Sequence, residues 1–326
     1  MVTPLRIGFF GTPAFALATL EALRRSSHDV VLVMTQPDRP RGRGQKLTAG
    51  PVKAFAAAEG IPVLQPDRLK DDGLMAELAA FHLDLVVVAA YGRIIPRAML
   101  TVPRLGMMNV HASLLPRWRG AAPIHRAILA GDAETGVTIM RVVFELDAGA
   151  MLSVVRTPIG ANETSGELET RLAALGATLL VDTVDRVATG PVAETPQPEV
   201  GVTYAHRLER ADSQVDWTRS AQAIHDQIRG LQPWPAVVTM FKNRRLSLLG
   251  SMIDARSYDA VAPGTVADVT PDDFVVATGR GAIRVTRVQM EGKSAVTVRQ
   301  FLSGHPVMIG DRLEPLPAPP ASGPHA

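Results

Sequence analysis

Length, composition and charge place this chain among ordinary globular proteins. Its 326 residues suffice for about two domains, and the contents of 46% hydrophobic and 20% charged residues exclude disordered and fibrous proteins. The absence of cysteine excludes disulfides, thiolate nucleophiles and cysteine-ligated metal sites. Lysine and arginine total 34 against 32 aspartate and glutamate, so the net charge of +2 does not by itself indicate a polyanionic partner.

The N-terminal sequence predicts a soluble, cytoplasmic protein. One arginine precedes a short apolar run that Gly11 and Pro13 interrupt, unlike the long apolar region of a secretory signal. No stretch approaches the roughly 20 apolar residues that cross a bilayer. We take a monomer as the default assembly.

Short apolar runs alternate with amphipathic segments in the first half, which is typical of βαβ units around a mainly parallel sheet. We predict Thr12 as N-cap and Pro13 as first residue of a helix that reaches Arg25. Thr164 and Glu167 predict a capping box that opens a long helix. The other predicted elements are strands near 5–10, 30–35, 62–64, 85–90, 107–110, 137–143 and 151–157, and helices near 51–60, 74–81 and 123–131.

The composition changes after the long helix. Residues 190–205 are rich in Pro, Glu, Thr and Gly without periodicity, which predicts a linker. A helix near 220–229 and short alternating segments between 237 and 288 then predict a small β-barrel. The predicted organisation is a first domain at 1–189, a linker at 190–205, a second domain at 206–315 and a disordered tail at 316–326.

The turn after the first strand invites a dinucleotide-binding interpretation, which the glycine spacing does not favour. Gly8 and Gly11 are followed by no third glycine, so the G-x-G-x-x-G fingerprint is absent. Asp38, the acidic residue after the second strand, begins a run of arginines, where a ribose ligand is not expected. We therefore do not predict a nicotinamide dehydrogenase, although the helix N-terminus could still receive an anion.

A basic loop follows Asp38. It combines glycines with four cations, which are Arg39, Arg41, Arg43 and Lys46. A solvated surface loop can have this composition. A mobile basic segment also suits a phosphate backbone, because neutralising each phosphate releases counterions and needs no fixed side-chain geometry.

Asn109, His111 and Asp147 form the densest chemical pattern. Asn109 and His111 are two apart at the end of a predicted strand, so their side chains share one side of the sheet edge. Each residue alone could serve a structural role. No metal-ligand spacing accompanies them, and Ser113 is not in a G-x-S-x-G elbow. An amide, an imidazole and a carboxylate can stabilise an oxyanion and move protons while the substrate itself attacks.

The sequence closely resembles the methionyl-tRNA formyltransferases between Leu5 and Leu313. The matching runs are GTPAFA, TQPDRPRGRGQKL, AAYGRIIP, NVHASLLPRWRGAAPIHRAILAGDAETGVTIM and LDAG, then VDW, QPWP, PGTV, VATGRGAIRV and GDRL. The resemblance implies an α/β fold, with a Rossmann-like formyltransferase domain followed by an OB-like β-barrel domain. It implies formyl transfer from 10-formyltetrahydrofolate to the α-amino group of methionyl initiator tRNA, without a metal.

The resemblance also implies roles for individual residues. The catalytic residues would be Asn109, His111 and Asp147. The tRNA-binding residues would be Arg39, Arg41, Arg43 and Lys46, with further contacts from the C-terminal domain. The folate-binding residues would be Tyr91, Gly92, Ile94, Pro96, Ser113, Leu114, Leu115 and Pro116.

We expect Asn109 and His111 to donate hydrogen bonds to the oxyanion of the tetrahedral intermediate. Asp147 would orient His111 and accept the proton of the amine, directly or through water. Formyltransferases for amino sugars or glycinamide ribonucleotide, and the hydrolase module of formyltetrahydrofolate dehydrogenase, would use the same three residues. The basic loop favours tRNA over these small acceptors. An RNA-binding module with an inactive α/β domain is a further alternative, which the intact catalytic residues disfavour.

Overall fold

The computed structural model of the protein describes residues 3–41 and 46–317. The chain forms two compact units, each made of three segments. The first unit comprises Met1–Ile124, Glu134–Pro158 and Leu168–His206. The second comprises His125–Ala133, Ile159–Glu167 and Arg207–Ala326. The domain boundaries predicted at residues 189, 205 and 315 stay predictions, and residues 318–326 of the predicted tail lie outside the described part.

The first unit is an α/β unit. Its strands are β1 (Arg6–Gly11), β2 (Asp29–Met34), β3 (Arg39–Arg41), β4 (Lys46–Thr48), β5 (Val63–Leu64), β6 (Leu85–Ala89), β7 (Met107–His111), β8 (Arg119–Gly120), β9 (Glu134–Arg141), β10 (Met151–Pro158) and β11 (Tyr204–Ala205). Its helices are α1 (Ala14–Arg25), α2 (Pro51–Ala58), α3 (Asp72–Ala80) and α4 (Arg97–Leu100). Two more helices, α5 (Pro123–Leu129) and α6 (Ser165–Thr189), contribute residues to both units.

The main sheet of the first unit has the order β10-β9-β7-β6-β1-β2-β5. Its five strands from β7 to β5 are parallel, whereas β9 runs antiparallel to β7 and β10 runs antiparallel to β9. All five residues of β6 are buried, which explains its continuous apolar sequence. The chain leaves β1 towards β2 and later returns to β6 on the other side of β1. Ligands bind α/β sheets at such a reversal of strand order, beyond the carboxyl ends of the strands.

Two predicted caps have different outcomes. The Thr164 amide donates to Glu167 at 2.9 Å and the Glu167 amide to Thr164 at 3.3 Å, so the capping box is confirmed. The Thr12 cap is wrong: the N-cap of α1 is Pro13, which makes no side-chain cap bond. The Thr12 hydroxyl instead accepts a hydrogen bond from the backbone N–H of Gln36 at 3.2 Å, because the fold brings the residues after β2 against this turn.

The second unit is a closed antiparallel barrel. Its strands are β12 (Val237–Phe241), β13 (Arg244–Asp254), β14 (Val266–Val269), β15 (Phe274–Ala277), β16 (Ala282–Met290), β17 (Val296–Thr297) and β18 (Leu313–Glu314). Its helices are a 3-10 turn (Arg210–Ser213), α7 (Ala221–Gly230) and α8 (Val298–Leu302). The strand order is β14-β15-β16-β13-β12-β18, and Leu313 donates to the Gly264 carbonyl at 2.7 Å to close the two ends. This confirms the predicted fold class, which combines a first domain with a mainly parallel sheet and a second, OB-like domain.

Two segments without sequence periodicity are ordered by pairing. The loop predicted between residues 36 and 50 contains a hairpin of β3 and β4, so that prediction is wrong in part. In the predicted linker, Thr195 pairs with Met151 and β11 pairs with β8, and the segment through His206 belongs to the first unit. These strands are held by backbone hydrogen bonds, which do not depend on an alternation of apolar side chains, so the sequence pattern did not reveal them. Over the described residues, none of the helices has both the length and the apolar character of a membrane span.

Candidate active site

Strand β7 carries Asn109 and His111 to the edge of the main sheet. Asn109 lies in register between Val88 and Met140, and His111 lies beside Thr138. The spacing of two residues directs both side chains to the same face. His111 is 5% exposed and Asn109 is half-buried. The Asn109 side chain makes no hydrogen bond to any residue in the described ranges, so its amide is available to a ligand.

The His111 ring contacts a backbone carbonyl on one side and Asp147 on the other. Nε2 lies 2.9 Å from the Trp118 carbonyl oxygen. Because a carbonyl only accepts hydrogen bonds, this contact assigns a proton to Nε2. Nδ1 lies 3.7 Å from Oδ2 of Asp147, beyond hydrogen-bond distance but within the range of an ion pair when His111 is protonated.

Asp147 occupies a tight turn between β9 and β10. Its φ of +47° lies in the left-handed region, which aspartate tolerates better than most residues. Gly149 packs so closely that a Cβ there would lie 1.9 Å from the Arg141 carbonyl oxygen, so this position requires glycine. The local sequence Leu-Asp-Ala-Gly thus has the residue types that this turn needs.

The carboxylate of Asp147 is held by the backbone of β8. The Gly120 amide donates to Oδ2 of Asp147 at 2.7 Å. Gly120 has a φ of +118°, and a Cβ there would lie 2.8 Å from the carbonyl oxygen of Ala205. Sequence reasoning missed both Gly120 and the Trp118 carbonyl, because main-chain groups leave no pattern in a sequence.

The predicted folate-binding residues Ser113, Leu114, Leu115 and Pro116 form the loop after β7. The Ser113 hydroxyl is buried and donates to the Arg117 carbonyl at 2.6 Å. Leu115 is also buried, whereas Leu114 and Pro116 are half-buried. The serine hydroxyl therefore supports the loop, and the partly open side chains of Leu114 and Pro116 remain for a ligand.

The predicted folate-binding residues after β6 likewise include both buried and exposed side chains. The Tyr91 ring is 2% exposed, burial raises the pKa of its phenol above the ordinary value, and its carbonyl accepts from Gln36 Nε2 at 2.8 Å. Gly92 has a φ of +74°, and Pro96 is the N-cap of α4. Ile94 is 77% exposed, so it is the apolar side chain of this segment that a ligand can cover.

The segment after β6 contacts the loop after β9 through Arg97, the first residue of α4. The Arg97 guanidinium lies 4.2 Å from the centroid of the Phe144 ring and 3.6 Å from the Glu145 carboxylate. Leu146, next to Asp147, is 59% exposed. The turn of Asp147 thus begins beside exposed apolar side chains.

The structure places three of the predicted basic residues, Arg39, Arg41 and Lys46, on the backbone hairpin of β3 and β4. Arg39 is exposed and pairs in register with Thr48, and the backbones of Arg41 and Lys46 pair with each other. Arg43 lies outside the described residues. Because Arg39 pairs with Thr48, the two ends of the hairpin lie next to each other in the first unit.

Asp38 anchors the base of this hairpin. Its carboxylate accepts from Lys53 Nζ at 2.6 Å and from Gln65 Nε2 at 3.0 Å, and Lys53 also donates to Gln65 Oε1 at 2.5 Å. Gln65 further donates to the Gln36 carbonyl at 2.8 Å. Asp38 is thus engaged in holding the base of the hairpin.

The arrangement suits acyl transfer to a nucleophile that the substrate supplies. The Asn109 amide and the His111 ring can bind a developing oxyanion, and the Asp147 carboxylate can accept a proton. The nearest hydroxyl in the sequence, Ser113, is occupied in its own loop. No three His, Cys, Asp or Glu side chains converge as metal ligands within residues 3–41 and 46–317.

Known proteins are similar to this chain along nearly its whole length. The formyl transferase family matches residues 5–184, and the C-terminal domain of formyl transferases matches residues 207–306. Methionyl-tRNA formyltransferase of Chromohalobacter salexigens is 49% identical over 303 residues, which cover 92% of this chain and 93% of that protein.

Two solved structures share the fold. The N-formyltransferase of Helicobacter canadensis, in complex with folinic acid and dTDP-3-aminofucose, has a TM-score of 0.67 and 17% identity, covering 88% of this chain and 99% of that one. HypX of Aquifex aeolicus, in complex with tetrahydrofolic acid, has a TM-score of 0.65 and 16% identity over 92% of this chain. The chain spans about half of HypX, 47% of its length. At these identities the likeness concerns the fold alone.

Proposed function

The chain belongs to the methionyl-tRNA formyltransferase family, and we propose that it transfers a formyl group from 10-formyltetrahydrofolate to the α-amino group of methionyl initiator tRNA. The neutral amine attacks the formyl carbon and forms a C–N bond, while the carbonyl electrons move to oxygen. The nitrogen then loses a proton, and the bond from the formyl carbon to N10 of the folate breaks as N10 takes a proton. The products are formylmethionyl-tRNA and tetrahydrofolate.

The observation that carries this proposal is the grouping of Asn109, His111 and Asp147 at the end of β7. The free amide of Asn109 donates to the oxyanion. His111 donates through Nε2, exchanging the Trp118 carbonyl for the formyl oxygen. Asp147, with Oδ2 3.7 Å from Nδ1 of His111, orients the ring and accepts the proton of the amine directly or through water.

We assign the folate to the crevice at the strand-order reversal, between the segments 91–96 and 113–116. Ile94, Leu114 and Pro116 supply apolar contact, because these side chains are at least partly open. Tyr91, Ser113 and Leu115 shape the crevice from behind, since they are buried. Gly92 and Pro96 set the course of the backbone beside it.

We assign the acceptor stem of the tRNA to the basic hairpin. Arg39, Arg41, Arg43 and Lys46 neutralise phosphates there, and the C-terminal barrel supplies further contacts. The pairing of Asp38 with Lys53 supports this assignment, because it removes the one carboxylate next to the arginines from competition with phosphate. The protein acts as a monomer in the cytoplasm, where translation is initiated.

Formylation of methionyl initiator tRNA by the purified protein with 10-formyltetrahydrofolate tests the proposal. Uncharged tRNA and free methionine are the controls, and a dTDP-amino sugar serves as an alternative acceptor. We expect product only with the charged tRNA. Transfer to the amino sugar but not to the tRNA would show that the assigned acceptor is wrong. Absence of transfer to either would overturn the proposed activity.

The catalytic assignment is tested separately with Asn109→Ala. Loss of one preorganised oxyanion donor costs about 100- to 1000-fold in kcat. The KM for both substrates should change far less, because the amide acts on the charge that develops during the reaction. Wild-type kcat in a folded variant would contradict the role of Asn109.

A further inference from the structure

Gln197, between α6 and β11, makes four hydrogen bonds to oxygen and nitrogen partners around the turn that carries Asp147, besides a longer contact of 3.9 Å from Nε2 to Sδ of Met140. Its Nε2 donates to the carbonyl oxygens of Asp147 and Gly149, both at 2.8 Å. Its Oε1 accepts from Nε of Arg119 at 3.0 Å and from Nη2 of Arg119 at 2.7 Å. All four contacts lie within the first unit.

The chemistry of these partners fixes the orientation of the Gln197 amide. A guanidinium only donates hydrogen bonds, and a carbonyl only accepts them. Rotation of the amide by half a turn would direct its NH2 group at Arg119 and its oxygen at the two carbonyls, so all four bonds would be lost. Both N–H donors of Gln197 therefore face the turn.

This turn depends on external support. Asp147 is left-handed at a φ of +47°, a strained conformation for a residue other than glycine, which the surrounding structure must hold. Gly149 supplies one restraint by packing against the Arg141 carbonyl. Gln197 supplies another by binding the carbonyls on both sides of Ala148.

Gln197 also ties the turn to the strand that receives its carboxylate. Gly120 donates its amide to Oδ2 of Asp147, and the preceding residue, Arg119, holds the Gln197 oxygen. The backbone and the carboxylate of Asp147 are thus both fixed to β8. A shift of Gln197 would move Asp147 relative to Gly120 and to His111.

We propose that Gln197 is a positioning residue for Asp147 and holds its carboxylate beside His111. The proposal rests on the proposed function for its kinetic consequence. It also predicts a structural consequence that is independent of which acceptor the enzyme uses. The hydrogen bond from Gln197 to Asp147 goes to the main-chain carbonyl and not to the carboxylate.

Gln197→Leu tests the kinetic consequence, with Glu194→Gln as the matched control. Glu194 lies in the same segment and binds Arg141 at 2.7 Å, but it makes no hydrogen bond to the turn of Asp147. We expect Gln197→Leu to lower kcat by roughly ten- to a hundredfold, since misplacement of a reacting group by about 1 Å can cost about 100-fold. KM for folate and tRNA should remain near wild type in both variants.

Gln197→Glu adds a pH-dependent readout. The ionised carboxylate keeps the Arg119 bonds but directs an oxygen at the two carbonyls, whereas the protonated carboxyl can donate to one of them. The kcat of Gln197→Glu relative to wild type should therefore rise as the pH falls from about 8 towards the glutamate range near 4.3. The same ratio for Gln197→Leu should not change. Gln197→Glu also tests the proposal if Gln197→Leu does not fold.

Hydrogen exchange of the Gly120 amide, measured by NMR, tests the structural consequence without any substrate. We expect lost protection in Gln197→Leu and wild-type protection in Glu194→Gln. If the wild-type enzyme formylates no tRNA while Gly120 loses protection in Gln197→Leu, the proposed function fails and the positioning role stands. Unchanged Gly120 exchange, or a kcat equal to that of Glu194→Gln, would overturn the role of Gln197.

Discussion

Replacing Asp147 with asparagine separates proton acceptance from the shape of the site. The carboxylate accepts the Gly120 amide at 2.7 Å, and the side chain is 15% exposed. Asparagine has the same shape and can keep this bond through its own oxygen. It is neutral, however, so it places no negative charge beside the His111 ring and accepts no proton from the amine.

The expected loss of activity follows from the loss of the negative charge and of the proton acceptor. Removing a positioned general base costs about 100- to 10,000-fold in rate, which corresponds to about 2.7–5.5 kcal/mol of transition-state stabilisation. Asp147→Ala should lose as much activity and also some stability, because the Gly120 amide then loses its charged acceptor, a bond worth about 1.5–3 kcal/mol. The asparagine variant should unfold near the wild-type temperature.

The assay is single-turnover formylation of methionyl initiator tRNA at saturating 10-formyltetrahydrofolate, beside thermal unfolding of each variant. Single-turnover conditions isolate the chemical step from product release. A rate for Asp147→Asn within about tenfold of wild type, below the usual effect of a general base, would refute proton acceptance by Asp147. An equal loss of stability in both variants would refute the structural role given to the Gly120 bond.

Three further predictions concern other parts of the chain. Arg39→Ala should raise the KM for methionyl-tRNA, leave the KM for folate unchanged and lower the log–log salt slope of tRNA binding by about one unit, and an unchanged slope would exclude a phosphate contact. Asp226→Asn should cost about 3–5 kcal/mol in urea unfolding, because Arg229, 7% exposed and 2.7 Å from Asp226, would lose its charged partner; a cost below about 1 kcal/mol would contradict this. Hydrogen bonds from Arg256 lower the pKa of Asp254 to about 2, so this carboxylate stabilises the protein above its unfolded pKa of about 3.9 and the stabilisation is lost as the pH falls towards 2. Asp254→Asn should weaken the decline in the urea midpoint between about pH 5 and 3, and an unaltered decline would contradict this linkage.

The sequence by itself predicted the main sheet and the barrel, because apolar periodicity directly reflects which faces of local elements are buried. The buried strand β6 and the capping box of Thr164 and Glu167 are examples, since both depend on residues close together in the chain. It also paired Asn109 with His111 on one face of a strand. The resemblance to a family added the roles of these residues and of Asp147.

Other features were decided only by tertiary structure. Thr12 was predicted to cap a helix, but it binds Gln36, and the segment predicted as a linker contributes Gln197. The Trp118 carbonyl and the Gly120 amide contact the proposed catalytic side chains. Every residue has such main-chain groups, so their use at a site is set by long-range packing that brings distant segments together, which no local pattern encodes.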